Sequence, residues 1–324
     1  MNRVVVDLAQ LGRPGELIGS GGQAKVYRLP GVTLPDVPHP LVYKHYRPGQ
    51  APPHGLHAIV ARRYRLDHRT RARLDRATAW PVRVVEDGGA VSGVLMPLIG
   101  DDFFQRRTLP SGSPTRTLRE VQHLFVDPAR SERLGMPSAS TRDRVLICRD
   151  FASIVHLLHR NDMVIGDLNA KNAVFRCGVR PTVLLVDCDA IRIRGAMAVV
   201  RQLNAPDWDP PERSLSQATD RYKFGLFVLR CLAPGPQASV TRDIGRLADR
   251  LDPYGRRLLT DSLGAAPGAR PTMQMWGRYF DQLLSGRAPG PPASTDDTPG
   301  PPPGPVERTA GWSRDPVTGT WKPN

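Results

Sequence analysis

The sequence has no apolar run close to the roughly 20 residues that a membrane-spanning helix needs. Its first ten residues, MNRVVVDLAQ, are interrupted by Asp7 before the apolar core of a signal peptide could form. We therefore expect neither a membrane partner nor export, and we predict a cytoplasmic protein. At 324 residues, 40% of them hydrophobic, the chain is long enough to bury one large core or the cores of two lobes.

Cysteine and lysine are both scarce. The cysteines form no C-x-x-C pair, which excludes a disulfide or zinc framework and predicts buried apolar thiols in a reducing compartment; they are Cys148, Cys177, Cys188 and Cys231. Five of the 45 basic residues are lysines, namely Lys25, Lys44, Lys171, Lys223 and Lys322. Because almost every other cation is an arginine, each lysine indicates a position that favours a compact ammonium.

The net charge of +14 is compatible with nucleic-acid binding. However, aromatic and basic residues are not interleaved, and the most basic stretch, residues 62–76, is typical of a solvated helix face. We therefore expect no specific nucleic-acid partner. A steeply salt-dependent shift on DNA would be needed to restore that hypothesis.

The first hundred residues have the pattern of a small, mostly antiparallel sheet. Strands are predicted around the glycine turn in ELIGSGGQAKVYRL (16–29), in PLVYKHY (40–46), and in a hairpin over 80–99 that turns at Asp87-Gly88-Gly89. One helical segment is predicted over 56–76. This part is expected to form a β-sheet lobe.

From about residue 101 the pattern becomes helical. Apolar stripes predict helices over 141–161, 219–232 and 270–284, the first with Thr141 as its N-cap. The Pro/Gly-rich end cannot bury enough apolar surface to fold, and its two tryptophans are expected to be loosely attached. The predicted fold is α+β, with a small antiparallel β-sheet lobe over 1–100, a larger α-helical lobe over 101–284 and a disordered tail over 285–324.

Three polar residues have a spacing that suits phosphate chemistry. Asp167 and Asn172 lie five residues apart on a predicted loop, and Asp187 closes the strand TVLLVD. Because Mg²⁺ prefers hard oxygen ligands, Asn172 and Asp187 suit a magnesium ion bound to the phosphates of ATP. Asp167 would then orient an acceptor hydroxyl and take its proton. The alternative, that Asp167 and Asn172 only cap turns, leaves Asp187 unexplained.

Lys44 follows the glycine turn GSGG by about 25 residues, on a predicted strand. A strand lysine that points toward a glycine flap can bind phosphate oxygens as a point charge. The alternative is a solvated strand lysine. Together with the three polar residues, Lys44 predicts a nucleotide held in a cleft between the two lobes.

These motifs resemble those of the protein kinase superfamily, over roughly residues 12–284. The matching segments are GSGGQAKV (glycine-rich loop, with Ala24 at its third glycine), LVYK (ATP-binding lysine), GDLNAKN (catalytic loop), DCD (D-F-G), PPE (A-P-E), TDRYKFG and ARP. The motifs GDLNxxN and DCD are similar to those of a bacterial kinase-like subfamily. Members of this subfamily are found beside phosphatase and von Willebrand A-type modules. The resemblance implies a two-lobed protein kinase-like fold and Ser/Thr kinase activity.

The resemblance also implies a role for each matching residue. Asp167 is the base, Asn172 and Asp187 are the magnesium ligands, and Lys44 and Lys171 are catalytic cations. ATP is contacted by Gly19, Gly21, Gly22, Val26, Lys44, Met96 and Ile99, with Met96 behind the adenine and the Pro97 carbonyl facing it. Glu212 and Arg270 are expected to form a buried ion pair, and Asp220 to brace the catalytic loop. The implied cofactors are ATP and Mg²⁺, and the implied partners are a protein substrate or regulatory partner, including a phosphatase or von Willebrand A-type protein.

The sequence departs from the family pattern around Lys44 and the catalytic loop. No Glu occurs between Lys44 and Glu86, so the helix glutamate that orients the lysine in kinases is missing, and Asp67 or Asp75 is expected to replace it. Asn169 stands where Ser/Thr kinases carry a lysine, and Lys171 is expected to compensate. Cys188 and Asp189 replace the last two residues of D-F-G, so the phenylalanine movement of many kinases should be absent or altered.

Activation-loop phosphorylation is not expected to switch this protein. The segment from Asp187 to Glu212 contains no Ser, Thr or Tyr, and Gly166 occupies the position of the arginine that binds a phosphorylated loop in kinases. Mass spectrometry of the protein after incubation with ATP should find no phosphate between these residues. Phosphate found there, on any residue type, would contradict the prediction.

Three alternatives to an active protein kinase remain. The missing Glu and Asn169 favour a pseudokinase, a nucleotide-binding scaffold that regulates a partner. A small-molecule kinase of the aminoglycoside or choline type shares the D-x-x-x-x-N loop but not the elements around Glu212, Asp220 and Arg270. A nucleic-acid-binding protein is supported by the net charge alone.

Overall fold

The computed structural model of the protein describes residues 4–52, 54–108, 114–133, 135–136, 139–194, 206–286, 312–314 and 321–323. The chain forms two compact units, Met1–Pro289 and Gly290–Asn324. In the second unit two short strands, Trp312–Arg314 and Trp321–Pro323, pair antiparallel. Most of the tail predicted to be disordered lies outside the described residues.

A six-stranded sheet occupies the N-terminal part of the first unit. Its strands are β1 (Val5–Asp7), β2 (Leu17–Ser20), β3 (Ala24–Leu29), β4 (Leu41–Tyr46), β5 (Arg83–Asp87) and β6 (Ala90–Pro97), in the order β1-β5-β6-β4-β3-β2. The mostly antiparallel sheet that the sequence predicts is confirmed, with one exception: β1 pairs parallel to β5. No tight turn joins these two strands, so nothing local fixes their relative direction.

The hairpin between β5 and β6 forms at the predicted place. Gly88 and Gly89 have φ values of 56° and 84°, in the left-handed region that a two-residue hairpin turn requires and that glycine adopts without strain. Asp87 is opposite Ala90 at the end of the ladder. The turn chemistry of the sequence therefore fixes this connection.

Seven α-helices fall within the described residues. They are α1 (Leu56–Arg65), α2 (His68–Ala77), α3 (Pro128–Arg133), α4 (Thr141–Arg160), α5 (Gln217–Leu232), α6 (Pro253–Leu263) and α7 (Met273–Ser285). The single helical segment predicted over 56–76 is two helices, because Asp67 caps the start of α2 by accepting from Thr70 N–H. The predicted cap of α4 is also wrong: Ser140 caps it in a reciprocal box with Asp143, and Thr141 is the first helical residue.

Short strand pairs complete the first unit. They are β7 (Phe104–Thr108) with β8 (Pro114–Leu118), β9 (Met163–Val164) with β12 (Arg192–Ile193), and β10 (Ala173–Arg176) with β11 (Thr182–Leu185), all antiparallel. The loop between β9 and β10 contains Asp167, and the segment between β11 and β12 contains Asp187. Both candidate residues therefore lie on connections held by short ladders.

Helix α4 is the centre of the helical part. Phe151 is fully buried and contacts Phe224 and Phe227 of α5 edge-on, while Phe224 contacts Trp276 of α7 in the same way. Such edge-to-face pairs add to the stabilisation from apolar burial. The predicted α+β class, with a small sheet part and a larger helical part, is confirmed.

The thiols are free, as expected, and three of the four are buried; Cys177 is the exception and is half-buried. None of the helices within the described ranges is long and apolar enough to cross a lipid bilayer.

Candidate active site

Lys44 shares one face of the sheet with three apolar side chains. It lies directly opposite Val26 of β3, and Val42 lies opposite Met96 of β6. Directly opposed residues share a face, and residues two apart on a strand return to it, so the four side chains project to the same side. Val42 and Met96 belong to the main core there. The face therefore presents one ammonium beside an apolar floor.

The loop that carries Asp167 is braced from α5. The Asp220 carboxylate accepts from the backbone N–H groups of Ile165 and Gly166, both at 2.8 Å, and contacts His159 Nε2 at 2.9 Å. Asp220 is fully buried. Charge-assisted hydrogen bonds to backbone N–H groups hold a loop in one conformation, and this is the contact that the resemblance implied.

Lys223 provides a second brace that the sequence reading missed. Its buried ammonium donates to the Gly166 carbonyl at 2.5 Å, and Gly166 has a φ of 71° that glycine tolerates. Burial lowers the pKa of Lys223, against the opposing effect of Asp167 and other carboxylates. The available signal was the scarcity of lysine, since only five occur in the chain.

Asp167 is held by two amide side chains. Asn169 Nδ2 donates to Asp167 Oδ1 at 2.9 Å, and Asn172 Nδ2 donates to Asp167 Oδ2 and to its carbonyl, each at 2.9 Å. Asn169 therefore positions the carboxylate but adds no charge. Lys171 is exposed; its backbone N–H donates to Asn169 Oδ1 at 2.8 Å, and its side chain does not line the cavity described below.

Asp187 has an unusual backbone conformation. Its φ of 55° and ψ of 40° lie in the left-handed region, which is uncommon for a residue with a side chain and clusters at functional sites. Lys44 Nζ donates to Asp187 Oδ1 at 3.1 Å. The conformation places the Asp187 carboxylate, 57% exposed, next to the ammonium of Lys44.

Lys44 has a second and closer partner in Asp189. Lys44 Nζ donates to Asp189 Oδ1 at 2.8 Å, and the Tyr46 hydroxyl donates to Asp189 Oδ2 at 2.6 Å. Burial opposes the charge of Lys44, but the carboxylates of Asp189 and then Asp187 outweigh it and hold the pKa of Lys44 above its usual value. Burial, and then the Asp189 carboxylate, raises the pKa of Tyr46 well above its ordinary value.

Asp67 and Asp75, the expected partners of Lys44, lie elsewhere. Asp67 caps α2, and both Asp75 oxygens accept from Arg63 at 2.7 and 2.8 Å. Both aspartates thus accept hydrogen bonds within the helical segment that carries them. The expectation that either residue replaces the helix glutamate is wrong.

Arg63 joins the helices to the sheet part. Its side chain is 1% exposed and also donates to Asp36 Oδ2 at 2.9 Å, while Asp36 accepts from Arg83 at 2.7 Å. Burial opposes ionisation of Asp36, but hydrogen bonds from Arg83, Tyr64 and Arg63 hold its pKa well below its usual value. This network fixes α1 independently of Lys44.

Replacement of Arg63 should lower stability without altering the candidate site. We expect Arg63→Met to reduce the free energy of unfolding by about 2 kcal/mol, the range for loss of charge-assisted hydrogen bonds. Arg65→Met, on the exposed side of the same helix, should change it by less than about 0.5 kcal/mol. Urea unfolding of both variants checks the difference, and equal midpoints would contradict it.

A cavity of about 270 Å³ lies where these groups meet. It is lined by Lys44, Tyr46, Asp167, Asn172, Asp187 and Asp189, together with Gln23, Ala190 and residues 49–52. The structure therefore brings together Lys44 and the three polar residues that the sequence singled out. It adds Tyr46 and Asp189, which the sequence reading did not assign.

The glycine turn is closed by contacts that include Arg47. Gly21 N–H donates to the Ala24 carbonyl at 2.9 Å, and Arg47 donates to the Gly21 carbonyl at 2.9 Å and to Ser20 Oγ at 3.1 Å. Gly19 lies opposite Val26 on β2, beside a bulge. Gly19 lies in β2, and Gly21 and Gly22 lie in the turn between β2 and β3. None of these glycines lines the cavity, whereas Gln23 does.

The expected adenine residues separate into two places. Val26 and Met96 lie on the sheet face of Lys44, as described above. Ile99 lines a different and larger cleft of about 720 Å³, together with Pro97 and Leu98. Leu98 N–H donates to the Pro40 carbonyl at 2.8 Å, which fixes this segment beside the sheet.

The expected ion pair between Glu212 and Arg270 is present. Arg270, whose side chain is 0% exposed, donates to both oxygens of Glu212, at 2.5 and 2.8 Å. It also donates to the carbonyls of Ala218 and Gly264 and lies 5.0 Å from the Tyr222 ring centroid. Arg270 thus ties the segment before α5 to the segment before α7.

Comparison with known proteins finds structural similarity but no matching family or curated sequence. No protein-family profile and no curated protein matches the sequence. Among solved structures, the chain is similar to the PknI kinase domain of Mycobacterium tuberculosis, crystallised as a double mutant, at 16% identity and a TM-score of 0.47. The match covers 84% of this chain and 94% of that domain. A likeness of this degree assigns neither a family nor an activity.

Proposed function

We propose that this chain is an ATP- and Mg²⁺-dependent phosphotransferase of the protein-kinase type, acting on Ser or Thr hydroxyls of a protein substrate. The observation that carries the proposal is the convergence of Lys44, Asp167, Asn172 and Asp187 on one cavity. These residues come from a strand, a loop and a strand end that are far apart in the sequence. Phosphoryl transfer requires this set of groups: an ammonium, a carboxylate held as a hydrogen-bond acceptor, and two oxygen ligands.

The donor set fits magnesium bound by a nucleotide. Asn172 uses its amide N–H₂ to hold Asp167, which leaves its Oδ1 for a ligand, and the Asp187 carboxylate is largely exposed at the cavity. Within the described residues, no group of three or more His, Cys, Asp or Glu could hold a metal ion. Mg²⁺ takes one or two protein oxygens and completes its shell with phosphates and water, so Asn172 Oδ1 and the Asp187 carboxylate suffice as protein ligands.

Asp167 is the proposed base. The amides of Asn169 and Asn172 fix its carboxylate, and Asp220 and Lys223 hold the backbone just before it. A positioned carboxylate orients the substrate hydroxyl and accepts its proton as the phosphoryl group is transferred. Mg·ATP, when bound, supplies the phosphoryl group and neutralises its charge.

Lys44 is proposed to bind the phosphates of the nucleotide. The sheet face beside Lys44 is proposed to bind its adenine ring. Val26 is half-buried on this face, and Val42 and Met96, which are buried in the core, complete the apolar surface that the adenine would contact. The carbonyl of Pro97 and the N–H of Ile99, which lie along the larger cleft and not in the cavity of Lys44, remain the proposed adenine contacts. The glycine turn of Gly19, Gly21 and Gly22 is proposed to cover the phosphates. The exposed Lys171 side chain would have to turn toward the cavity to act as the additional cation.

A pseudokinase is the second candidate, and one observation favours it. Asn169 contacts Asp167 where Ser/Thr kinases have a lysine, and the Lys171 side chain is exposed, so the cation near the transferring group is missing. Such a protein would bind nucleotide and regulate a partner, for which a phosphatase or a von Willebrand A-type protein is proposed.

A transfer assay separates the two candidates. The full chain is incubated with ATP labelled at the γ-phosphate, Mg²⁺ and a mixture of unstructured protein substrates. We expect label on Ser or Thr of the substrate, and its loss when Mg²⁺ is chelated. Nucleotide binding without transfer would instead favour the pseudokinase.

A further inference from the structure

The two carboxylates that hold Lys44 differ in exposure. Asp187 is 57% exposed, whereas Asp189 is 7% exposed, and both Asp189 oxygens are used, one by Lys44 and one by Tyr46. Tyr46 itself is buried. Asp189 is therefore a fixed partner of Lys44, in a position where water competes little for either hydrogen bond.

The helices next to the sheet offer no such partner. The sequence of α1 contains no Asp or Glu, and Asp75 of α2 is occupied by Arg63. Asp36 and Arg63 in turn fix these helices to the sheet part. Neither α1 nor α2 therefore offers Lys44 a carboxylate partner that would orient it.

We propose that Asp189 is the positioning residue for Lys44, that Tyr46 fixes the Asp189 carboxylate, and that α1 and α2 take no part in orienting the lysine. The inference rests on the proposed function, in which Lys44 binds phosphate. It deepens that function with a regulatory consequence: displacement of α1 or α2 does not switch the site off.

The geometry explains why Asp189, and not Asp187, has this role. Asp187 is exposed toward the cavity and is the proposed magnesium ligand, so its carboxylate cannot serve the metal and the lysine equally. Asp189 is 7% exposed and is held by the Tyr46 hydroxyl, so we expect it to keep its hydrogen bond to Lys44 when Asp187 binds a metal. Asp187 thereby serves the metal ion, and Asp189, two residues later, serves Lys44.

Kinetics of four variants test the inference. We expect Asp189→Asn to lower kcat by roughly 10- to 100-fold, the range for loss of a charge-assisted hydrogen bond, with a smaller change in the KM for ATP. Tyr46→Phe should lower kcat by about 5-fold, and the double variant should be no slower than Asp189→Asn, because Tyr46 acts through Asp189. Tyr43→Phe, on the same strand but on the opposite sheet face with its hydroxyl donating to Ser92, should match the wild type.

Lysine NMR provides a readout that needs no activity. Because the chain has five lysines, ¹³C-lysine labelling gives a sparse spectrum in which Lys44 is assigned by its loss in Lys44→Arg. Asp189→Asn and Tyr46→Phe should shift the Lys44 signal, and Asp75→Asn should leave it unchanged. This arm also identifies variants that merely unfold, since all lysine signals would then collapse together.

The outcomes distinguish this inference from the proposed function. If the wild type transfers no phosphate, the proposed function fails, and the NMR shifts alone decide the role of Asp189. A Lys44 signal that responds to Asp75→Asn and not to Asp189→Asn overturns the inference. So does a Tyr46→Phe effect on kcat that adds in full to that of Asp189→Asn.

Discussion

Asp167→Asn is expected to lower the rate of phosphate transfer by about 10²- to 10⁴-fold, the usual contribution of a positioned general base. Binding of Mg·ATP should stay within a few-fold of the wild type, because the Asp167 carboxylate accepts from Asn169 and Asn172, whereas Lys44 donates to Asp187 and Asp189. The variant keeps the shape of the side chain and removes its charge. Single-turnover transfer and nucleotide titration measure the two quantities separately.

Asp162→Asn is the matched control for this variant. Asp162 lies five residues earlier in the chain and is exposed, with its carboxylate 4.0 Å from Arg194. The same chemical change should leave transfer unaffected there. If Asp167→Asn retains transfer within a few-fold, Asp167 is not the base, and the catalytic assignment is wrong.

Arg270→Met is expected to cause the largest loss of stability, about 3–5 kcal/mol, which is typical when one partner of a buried ion pair is removed. The change leaves Glu212 without its guanidinium and removes the donors to the carbonyls of Ala218 and Gly264. Urea unfolding measures the loss. Arg257→Met, which removes an exposed pair with Asp261 on α6, should cost less than about 0.5 kcal/mol.

The pair also predicts a pH dependence. The hydrogen bond from Arg270 holds the pKa of Glu212 below its usual value. A carboxyl group whose pKa is lowered by folding stabilises the protein above its ordinary pKa, and this contribution is lost as the pH falls through the lowered value. The stability difference between wild type and Arg270→Met should therefore shrink on acidification, and a difference that grows would contradict the assigned pair.

Much of this arrangement could be predicted from the sequence because it depends on local signals. The hairpin at Gly88 and Gly89 follows from turn chemistry, and the apolar stripe of α4 follows from helical period. Asp167, Asn172 and Asp187 could be selected because oxygen ligands at such separations suit a magnesium-bound phosphate. Their meeting in one cavity then depended on the fold.

The rest depends on contacts between distant segments, which no local pattern encodes. Asp189 was read only as a replaced glycine, since its pairing with Lys44 spans 145 residues of the chain. The sequence allows Asp75 to reach Lys44, but Arg63, twelve residues before it, binds both of its carboxylate oxygens. Arg47 acts through a backbone carbonyl, for which a sequence has no signature, and the scarcity of lysine singles out Lys223 without indicating its partner. The direction of β1 was likewise set by the sheet and not by a turn.

A crystal structure of the full chain with Mg²⁺ and a non-hydrolysable ATP analogue tests the central claim most directly. We predict the triphosphate in the cavity of about 270 Å³, with Lys44 Nζ on a phosphate oxygen, a magnesium ion on Asn172 Oδ1 and the Asp187 carboxylate, and Asp167 facing the γ-phosphate. A nucleotide bound elsewhere, or a magnesium ion that contacts neither Asn172 nor Asp187, would contradict the account.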